Sequence, residues 1–439
     1  MRIRSVFKKR EPGVALLLVI GSIAIITMVA VEFAYNASVE YHLAVRQKER
    51  LQSYYLAQSA LNMTLLELKL GSNVQSQIAN AQEQYNLDLG VDLSAPLCEM
   101  FPIKTGLFRL VLSSGGEAPE EKAPASEGGE EPSLSGVLQG LPLGGLEDFL
   151  NFEGDFDATC IDESSKIDLN FFYGQNPELK VPDKKENPYD EYKKFIVEFL
   201  SLPKFQALFE NAEVRLEEVV RNIADWVDQN DVINEYGGGR SGSEESAYRF
   251  ELQESVKPKN GKFTTPQDIY RVAGIDDRWW SQVNQYFTIY GQPDRQGNPK
   301  INICRAPDEI VLALILHYTK SREDLPPLTA FEEKDLLTLV TAAKGECVGA
   351  RVDPIKVGEA VDTALYELLK ISAPEPGTPG YAPQTSSLTQ WITDQSRFYR
   401  IRSLGQVKDT VVGIDAVVDL GEGGGTDSSK WKLLYWKVD

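Results

Sequence analysis

The sequence lacks the residues and motifs on which most enzymes depend. Only two of its 439 residues are histidines, and it has no nucleophile elbow, phosphate-binding loop or histidine-rich metal motif. His42 lies on a predicted helix just outside an apolar segment, and His317 follows an apolar run, so packing is favoured over general-base catalysis. A signal-anchored enzyme would have no visible site, and we predict a protein that is not an enzyme.

Helix-breaking residues are missing near the amino terminus. Residues 22–70 contain neither glycine nor proline, and residues 14–31 carry no charge. A helix over residues 14–70 would be roughly 85 Å long, whereas a bilayer core needs only about 20 residues. Beyond the uncharged run, apolar residues recur at helical spacing: Leu51, Tyr54, Tyr55, Leu61, Leu65 and Leu68. One helix is therefore predicted to be first an anchor and then a packing surface.

A basic leader precedes the apolar run. It contains Arg2, Arg4, Lys8, Lys9 and Arg10 and ends at Gly13. A secretory signal peptide is cleaved after its apolar core, but cleavage between Gly13 and Val14 would keep that core on the mature chain. The positive charge places the amino terminus in the cytoplasm and the bulk of the chain across the membrane.

The leader, Gly13, the adjoining apolar segment and the unbroken helix resemble precursors of type IV pilin-like proteins. An ordinary single-pass signal anchor is the alternative. Most pilins and pseudopilins have a glutamate five residues after cleavage, and here that position is Leu18. A buried carboxylate is costly unless it is paired. The absence of this glutamate is typical of the general secretion pathway protein K (GspK) family, the large minor pseudopilins of type II secretion systems.

Several motifs carry the same resemblance. Residues 166–170 (KIDLN) are similar to the family's K-I-N-L-N element, and residues 225–228 (DWVD) and 272–275 (VAGI) resemble parts of its helical domain. Residues 301–306 resemble its I-N-V-N-T-A element, although Cys304 and Arg305 depart from it. The resemblance implies an α+β fold. A pilin-like long amino-terminal helix would pack on an antiparallel sheet, with a large inserted α-helical domain of helix-hairpin-helix or SAM-like type.

Composition divides the chain into segments. We predict a leader at 1–13, the membrane half of the helix at 14–37, a first pilin-like part at 38–185, an inserted helical domain at 186–372 and returning strands at 373–439. Strands are predicted within 101–112, at 158–161 and 166–172 as neighbours joined by a turn, and at 396–401, 410–420 and 431–438. We predict a low-complexity insertion at 113–147, and its part at 113–132, rich in Glu, Pro, Gly and Ser, is predicted to be disordered.

The four cysteines are Cys98, Cys160, Cys304 and Cys347. They allow three pairings and form no CxxC element, which argues against a zinc site. In an oxidising periplasm two disulfides are favoured over free thiols. Because each pair would stay within one predicted domain, we predict Cys98 with Cys160 and Cys304 with Cys347.

Oxygen-bearing side chains cluster after the predicted helix that contains Trp226. They are Asp225, Asp228, Asn230, Asp231, Glu244 and Glu245. Calcium takes six to eight oxygen ligands, although the spacing is not that of an EF-hand. The stretch resembles the D-W-(I/V)-D-x-(D/N) loop and following acidic pair of calcium-binding GspK relatives, which implies a calcium site. A solvated helix end with mutual repulsion is the alternative.

The charge balance disfavours nucleic acid. The net charge is −20, and removal of the leader would make it about −24. Residues 272–275 also resemble a helix-hairpin-helix turn, but Asp268, Asp276 and Asp277 lie beside it, so a structural helix pair is favoured. We predict that Trp279 and Trp280 pack inside that domain, with an exposed, partner-binding pair as the alternative.

The resemblance implies a minor pseudopilin that caps the type II secretion pseudopilus and promotes its assembly for export of folded periplasmic proteins. Implied partners are the I-type and J-type minor pseudopilins, the major pseudopilin, prepilin peptidase and the inner-membrane assembly platform. The chain would cross a bacterial inner membrane once, with its bulk in the periplasm. The alternatives are a tip minor pilin of a type IV pilus and a membrane-anchored helix-hairpin-helix protein of DNA uptake.

Overall fold

The structure is a computed structural model that describes residues 12–85, 97–100, 102–106, 152–178, 187–209, 215–248, 257–291, 293–322, 325, 333–347, 352–372, 387–421 and 428–439. The predicted insertion at 113–147, the part of the first predicted strand at 107–112 and leader residues 1–11 lie outside these ranges.

Ten α-helices and eleven β-strands follow one another along the described residues. The helices are α1 (Pro12–Tyr85), α2 (Leu97–Met100), α3 (Pro188–Leu200), α4 (Pro203–Phe209), α5 (Leu216–Val227), α6 (Asp277–Val283), α7 (Asp308–Lys320), α8 (Glu333–Gly345), α9 (Pro354–Leu369) and α10 (Ser387–Trp391). The strands are β1 (Ile103–Lys104), β2 (Asp155–Asp162), β3 (Ile167–Asp168), β4 (Val232–Asn234), β5 (Arg240–Ser243), β6 (Phe287–Thr288), β7 (Ile301–Asn302), β8 (Ile392–Thr393), β9 (Phe398–Val407), β10 (Thr410–Asp419) and β11 (Lys432–Val438).

The first helix dominates the shape of the chain. It has 74 residues, which makes it roughly 110 Å long, and it continues past the predicted end at residue 70. Its large apolar side chains over residues 14–43 are exposed. Among the described residues it is the one helix long and apolar enough to cross a membrane. This is consistent with a single-pass membrane anchor.

The distal half of α1 packs on an antiparallel sheet with the strand order β1-β2-β9-β10-β11. Burial alternates along β2, so that one face of the strand looks towards the helix. Ala57, Leu61 and Leu68 of α1 share a core with Ile401 of β9 and Ala416 of β10. The predicted α+β fold, a long helix on an antiparallel sheet, is confirmed.

Between β2 and β9 the chain forms a mainly helical body with its own core. Helix α3 begins with two local signals, since Asn187 caps it by accepting a hydrogen bond from Tyr189 N and Pro188 occupies its first turn. Its buried face joins the largest apolar cluster, in which Tyr192 and Phe195 meet Trp391 of α10 at ring-centroid distances of 5.8 and 5.5 Å. The helical periodicity of this region therefore predicted its structure correctly.

One strand prediction is wrong. Residues 166–172 do not form a second strand beside 158–161, because only Ile167–Asp168 is extended and it pairs in parallel with Phe287–Thr288. The chain then turns into a 3₁₀ helix, Leu169–Phe172, which the Asp168 side chain caps by accepting from Asn170 N at 2.9 Å. The local cap offers the backbone an alternative to a sheet ladder.

The returning strands were predicted in the right places, although the first is longer than expected. β9 extends to Val407, whereas the predicted strand ends at residue 401. β10 and β11 pair antiparallel, as the hairpin prediction requires. Near the start of β9, the buried carboxylate of Asp162 accepts hydrogen bonds from Ser396 Oγ and from Asn302 Nδ2, which joins the end of β2 to β7 and to the segment before β9.

Both predicted cysteine pairs form disulfides in the structure. Cys98 bonds Cys160 and so ties α2 to β2 at the core under α1. Cys304 bonds Cys347 and ties the segment after β7 to the end of α8. The described residues contain no free cysteine.

Candidate cation site

Three buried carboxylates converge at the end of α5. Asp225 lies in its last turn, Asp228 is the residue that ends it, and Glu244 opens the short 3₁₀ helix after the β4–β5 hairpin. One oxygen from each lies within 4.8 Å of the others. All three side chains are nearly inaccessible to solvent. The helix end and the hairpin therefore bring Glu244 next to two aspartates that lie 16 and 19 positions before it in the sequence.

Hydrogen bonds fix two of the carboxylates. Asp225 Oδ1 accepts from the backbone N of Asn234 at 3.2 Å, and Asp228 Oδ2 accepts from Asn234 Nδ2 at 2.8 Å. Tyr189 on α3 donates its hydroxyl to the same Asp228 Oδ2 at 2.6 Å. Asn234 thus hydrogen-bonds both aspartates, and Tyr189 hydrogen-bonds Asp228 as well.

Glu244 is different, because neither carboxylate oxygen has a hydrogen-bond partner among the described residues although the residue is only 2% exposed. Burial, followed by the charges of Asp225 and Asp228, raises the pKa of Glu244 to about 9. Burial also raises the pKa of Asp225 to about 7 and raises that of Asp228. A positive charge joining the group would favour the ionised forms of these carboxyls.

The other three predicted ligands lie outside this group. Asn230 Oδ1 accepts from the backbone N of Val232 at 2.9 Å, Asp231 Oδ1 accepts from Asn260 Nδ2 at 2.8 Å, and Glu245 pairs with Lys257. Asp231 is nevertheless close enough to contribute to the raised pKa of Glu244. The structure brings together Asp225, Asp228 and Glu244 and gives the rest other partners.

Sequence reasoning missed Tyr189, Lys193 and Asn234. Lys193 is fully buried beneath the hairpin, where its ammonium group lies 2.9 Å from Asp190 Oδ1 and donates to the carbonyl oxygen of Asn234 at 2.8 Å. Tyr189 and Lys193 are about 40 positions from the residues that they contact at the site, too far for a spacing rule, whereas Asn234 belongs to the hairpin itself. One signal was available, since Lys193 falls on the apolar face of α3 between Tyr189 and Ile196.

The donor set suits a hard cation. Every available ligand atom in the group is a carboxylate oxygen, and calcium and magnesium prefer oxygen ligands. Glu244 supplies two oxygens that no other described group satisfies. A divalent ion held by Asp225, Asp228 and Glu244 would neutralise the negative charge that these three buried carboxylates bring together. The residues present therefore fit such an ion.

The helix-hairpin-helix-like turn is built into the core of the helical body. Gly274 has a φ of 86°, which only glycine adopts freely, and it precedes α6. Trp279 and Trp280 are buried, as predicted. Trp279 lies 5.2 Å from the ring of Phe209, and Trp280 stacks on Phe287 at 5.1 Å. Neither ring is available to stack on a base or a partner.

The structure thus has the arrangement that was predicted, in which a membrane-length helix packs its distal half on an antiparallel sheet and a helical body lies between two strands of that sheet. No protein-family model and no curated protein matches the chain. The fold is similar to a chain in the solved structure of the GspK–GspI–GspJ complex from the enterotoxigenic Escherichia coli type 2 secretion system. That similarity has 13% sequence identity and a TM-score of 0.45, over 90% of this chain and 98% of the other.

Proposed function

We propose that the protein is a minor pseudopilin that caps the tip of a type II secretion pseudopilus and promotes its assembly. The observation that carries the proposal is α1 itself. Its amino-terminal part has no packing partner within the described chain, while its distal part is buried against the sheet. An exposed helical segment whose residues 14–31 carry no charge must be covered by lipid or by other apolar helices. In the proposed pathway the helix is covered first by lipid in the inner membrane and then by other pseudopilin helices in the filament.

The proposed maturation step is cleavage between Gly13 and Val14 by prepilin peptidase. The helix would then leave the inner membrane within a bundle of pseudopilin helices, with the I-type and J-type minor pseudopilins beside it and the major pseudopilin below. The inner-membrane platform would carry out assembly. The two disulfides support a periplasmic location for the body, because such bonds persist in oxidising compartments.

Leu18 supports a place at the tip. In a bundle of apolar helices, a carboxylate at this position would need a cationic partner, such as the amino terminus of a neighbouring subunit. Leucine needs none. The helical body between β2 and β9 adds width to the head beyond the sheet, which supports termination of the filament at this subunit.

Processing can be tested by intact mass and amino-terminal sequencing of the full chain, expressed with and without a prepilin peptidase. We expect a chain that begins at Val14 only when the peptidase is present. Gly13→Leu should prevent processing, whereas Gly21→Leu, a matched change inside the apolar segment, should not. Retention of the leader in every sample would return the protein to the ordinary signal anchors.

Assembly can be tested by co-expression with I-type and J-type minor pseudopilins. We expect the mature chain to co-purify with both, and its deletion to stop export of folded periplasmic proteins while inner-membrane insertion continues. Normal export without the chain, combined with loss of a surface pilus, would favour the type IV pilus function instead.

We further propose that Asp225, Asp228 and Glu244 bind calcium. The unsatisfied oxygens of Glu244 support this most directly. Calorimetric titration of the detergent-solubilised chain with CaCl₂ should give saturable binding that Glu244→Gln abolishes. Glu245→Gln is the matched control, because its carboxylate pairs with Lys257 outside the group. Equal binding by wild type and Glu244→Gln would place the ion elsewhere.

A further inference from the structure

The helix α3 lies beside the carboxylate group and is linked to it by two residues one turn apart, one directly and one through the hairpin backbone. Tyr189, which is fully buried, donates to Asp228 Oδ2. Lys193, also fully buried, does not touch the carboxylates and instead holds the hairpin backbone. The helix therefore contacts Asp228 directly through Tyr189, and it contacts the hairpin that carries Asn234 through Lys193.

Lys193 is held on several sides. Its ammonium donates to the carbonyl oxygens of Asn234 and Glu235 at 2.8 and 3.4 Å, and Asp190 Oδ1 lies 2.9 Å away. The ring centroids of Tyr189 and Tyr236 lie 4.8 and 4.6 Å from it. A buried ammonium group needs such compensation. The cost of burying it is offset by contacts that fix the backbone on which Asn234 sits.

Asn234 connects this anchor to the carboxylates. Its backbone N and side chain hydrogen-bond Asp225 and Asp228, while its carbonyl oxygen accepts from Lys193. Displacing that carbonyl would move both hydrogen bonds. Asp228 Oδ2 receives a second bond from Tyr189, so its orientation is set from two directions.

From this geometry we propose that Tyr189 and Lys193 are positioning residues for the cation site, holding Asp225 and Asp228 in a binding-competent arrangement before an ion arrives. This inference rests on the calcium site proposed above. Partners of metal-binding side chains commonly change metal affinity by roughly 10- to 100-fold when removed. Preorganisation of this kind strengthens binding because the ion does not have to order its own ligands.

Tyr189→Phe is the first test, since it removes only the hydroxyl. We expect the Kd for Ca²⁺, measured by calorimetry on the full chain in detergent, to rise about 10-fold or more. The matched control is Tyr192→Phe on the same helix, because that hydroxyl donates to the backbone carbonyl of Asp168 at 3.0 Å and not to the site. The control should bind Ca²⁺ as the wild type does.

The Lys193→Met variant tests whether Lys193 acts by positioning the hairpin backbone or only through its positive charge. Removing a positive charge near three carboxylates would tighten Ca²⁺ binding if charge alone mattered. We expect weaker binding, because the carbonyl of Asn234 loses its anchor. Bound Tb³⁺ gives a readout that general destabilisation would not move. Its luminescence decay in H₂O and D₂O should report more coordinated waters in both variants than in Tyr192→Phe.

The outcomes are distinguishable. If the wild type binds neither Ca²⁺ nor Tb³⁺, the cation site and this inference both fail. If the wild type binds and Tyr189→Phe binds equally well with the same hydration, the site stands and the role of Tyr189 is overturned. Tighter Ca²⁺ binding by Lys193→Met would overturn the role of Lys193.

Discussion

Gly405 of β9 lies against the backbone of Ser53 of α1 with no space for a side chain. A Cβ at this glycine would overlap the carbonyl oxygen of Ser53 and come within 2.6 Å of Ala57 N and 2.9 Å of Leu56 Cβ. Ser53 also donates its hydroxyl to the carbonyl oxygen of Thr410 at 3.0 Å, where β10 begins. The long helix therefore packs directly on a glycine of the sheet, where no side chain separates the two backbones.

Gly405→Ala should loosen this crossing. The atoms that it would strike belong mainly to the backbone, which cannot rotate away, so we expect a loss of about 1–3 kcal/mol from the free energy of unfolding. Gly413→Ala on β10 is the control, because its Cβ would meet the flexible end of Leu404 at 3.2 Å. Urea unfolding of both variants measures the difference. Equal stability of the two would show that α1 can shift over the sheet.

Sequence patterns predicted the parts of the fold that depend on local spacing. Hydrophobic period and composition predicted the unbroken helix, the two final strands and the helices after residue 188. The role of Gly405 could not be predicted, because it depends on which residue of α1 crosses above it. The 3₁₀ turn at Leu169–Phe172 was missed because a β-like sequence was capped by Asp168.

The candidate site was predicted in the same uneven way. Asp225, Asp228 and Glu244 were found because they lie near one another in the sequence around one helix end and hairpin. Asn230, Asp231 and Glu245 look equivalent in sequence, but their hydrogen bonds and ion pair direct them elsewhere. Tyr189 and Lys193 reach the site through tertiary packing alone. Local spacing indicates where charge accumulates, and packing decides which charges meet.

We expect His317 to make the stability of the helical body depend on pH. Its Nδ1 lies 2.8 Å from Glu198 Oε2 and its Nε2 3.7 Å from Glu191 Oε1, while its ring stacks on Trp391 at 5.2 Å. Lys320 shares Glu198 at 3.1 Å. Burial opposes the charged form, but the two glutamates outweigh it and raise the pKa of His317 to about 9.

The folded state therefore holds the His317 proton between pH 6.5 and about 9, where the unfolded chain releases it. This contribution is fully present below pH 6.5 and is lost as the pH rises through about 9. It corresponds to something on the order of 3 kcal/mol. We expect His317→Gln to be clearly less stable than wild type at pH 6 and close to it at pH 9.5. A difference that does not change with pH would mean that His317 acts by packing alone.

The disulfides should contribute similarly to stability. They close spans of 62 and 43 residues, and loop-closure entropy grows only with the logarithm of length, which gives about 4 kcal/mol for each. Replacing Cys304 and Cys347 by serine should lower the urea midpoint about as much as replacing Cys98 and Cys160. Mass spectrometry after thiol labelling checks the pairing in the wild type. Labelling of unreduced protein would contradict these bonds.

Glu244→Gln should stabilise the protein when no metal is bound. At neutral pH the fold must either bury a charge without partners or take up a proton, because the pKa of Glu244 is raised to about 9. A carboxyl group with a raised pKa holds its proton more tightly in the folded state than in the unfolded state. It therefore favours folding at low pH, and this advantage is lost as the pH rises towards 9. In EDTA at pH 7.5 we expect the glutamine variant to gain on the order of 2–3 kcal/mol.

Saturating CaCl₂ should reverse the order, because only the wild type then gains binding energy. Urea unfolding in EDTA and in CaCl₂, with Glu245→Gln as the control, measures both effects. A glutamine variant less stable than wild type in EDTA would mean that the Glu244 carboxylate already has a stabilising partner.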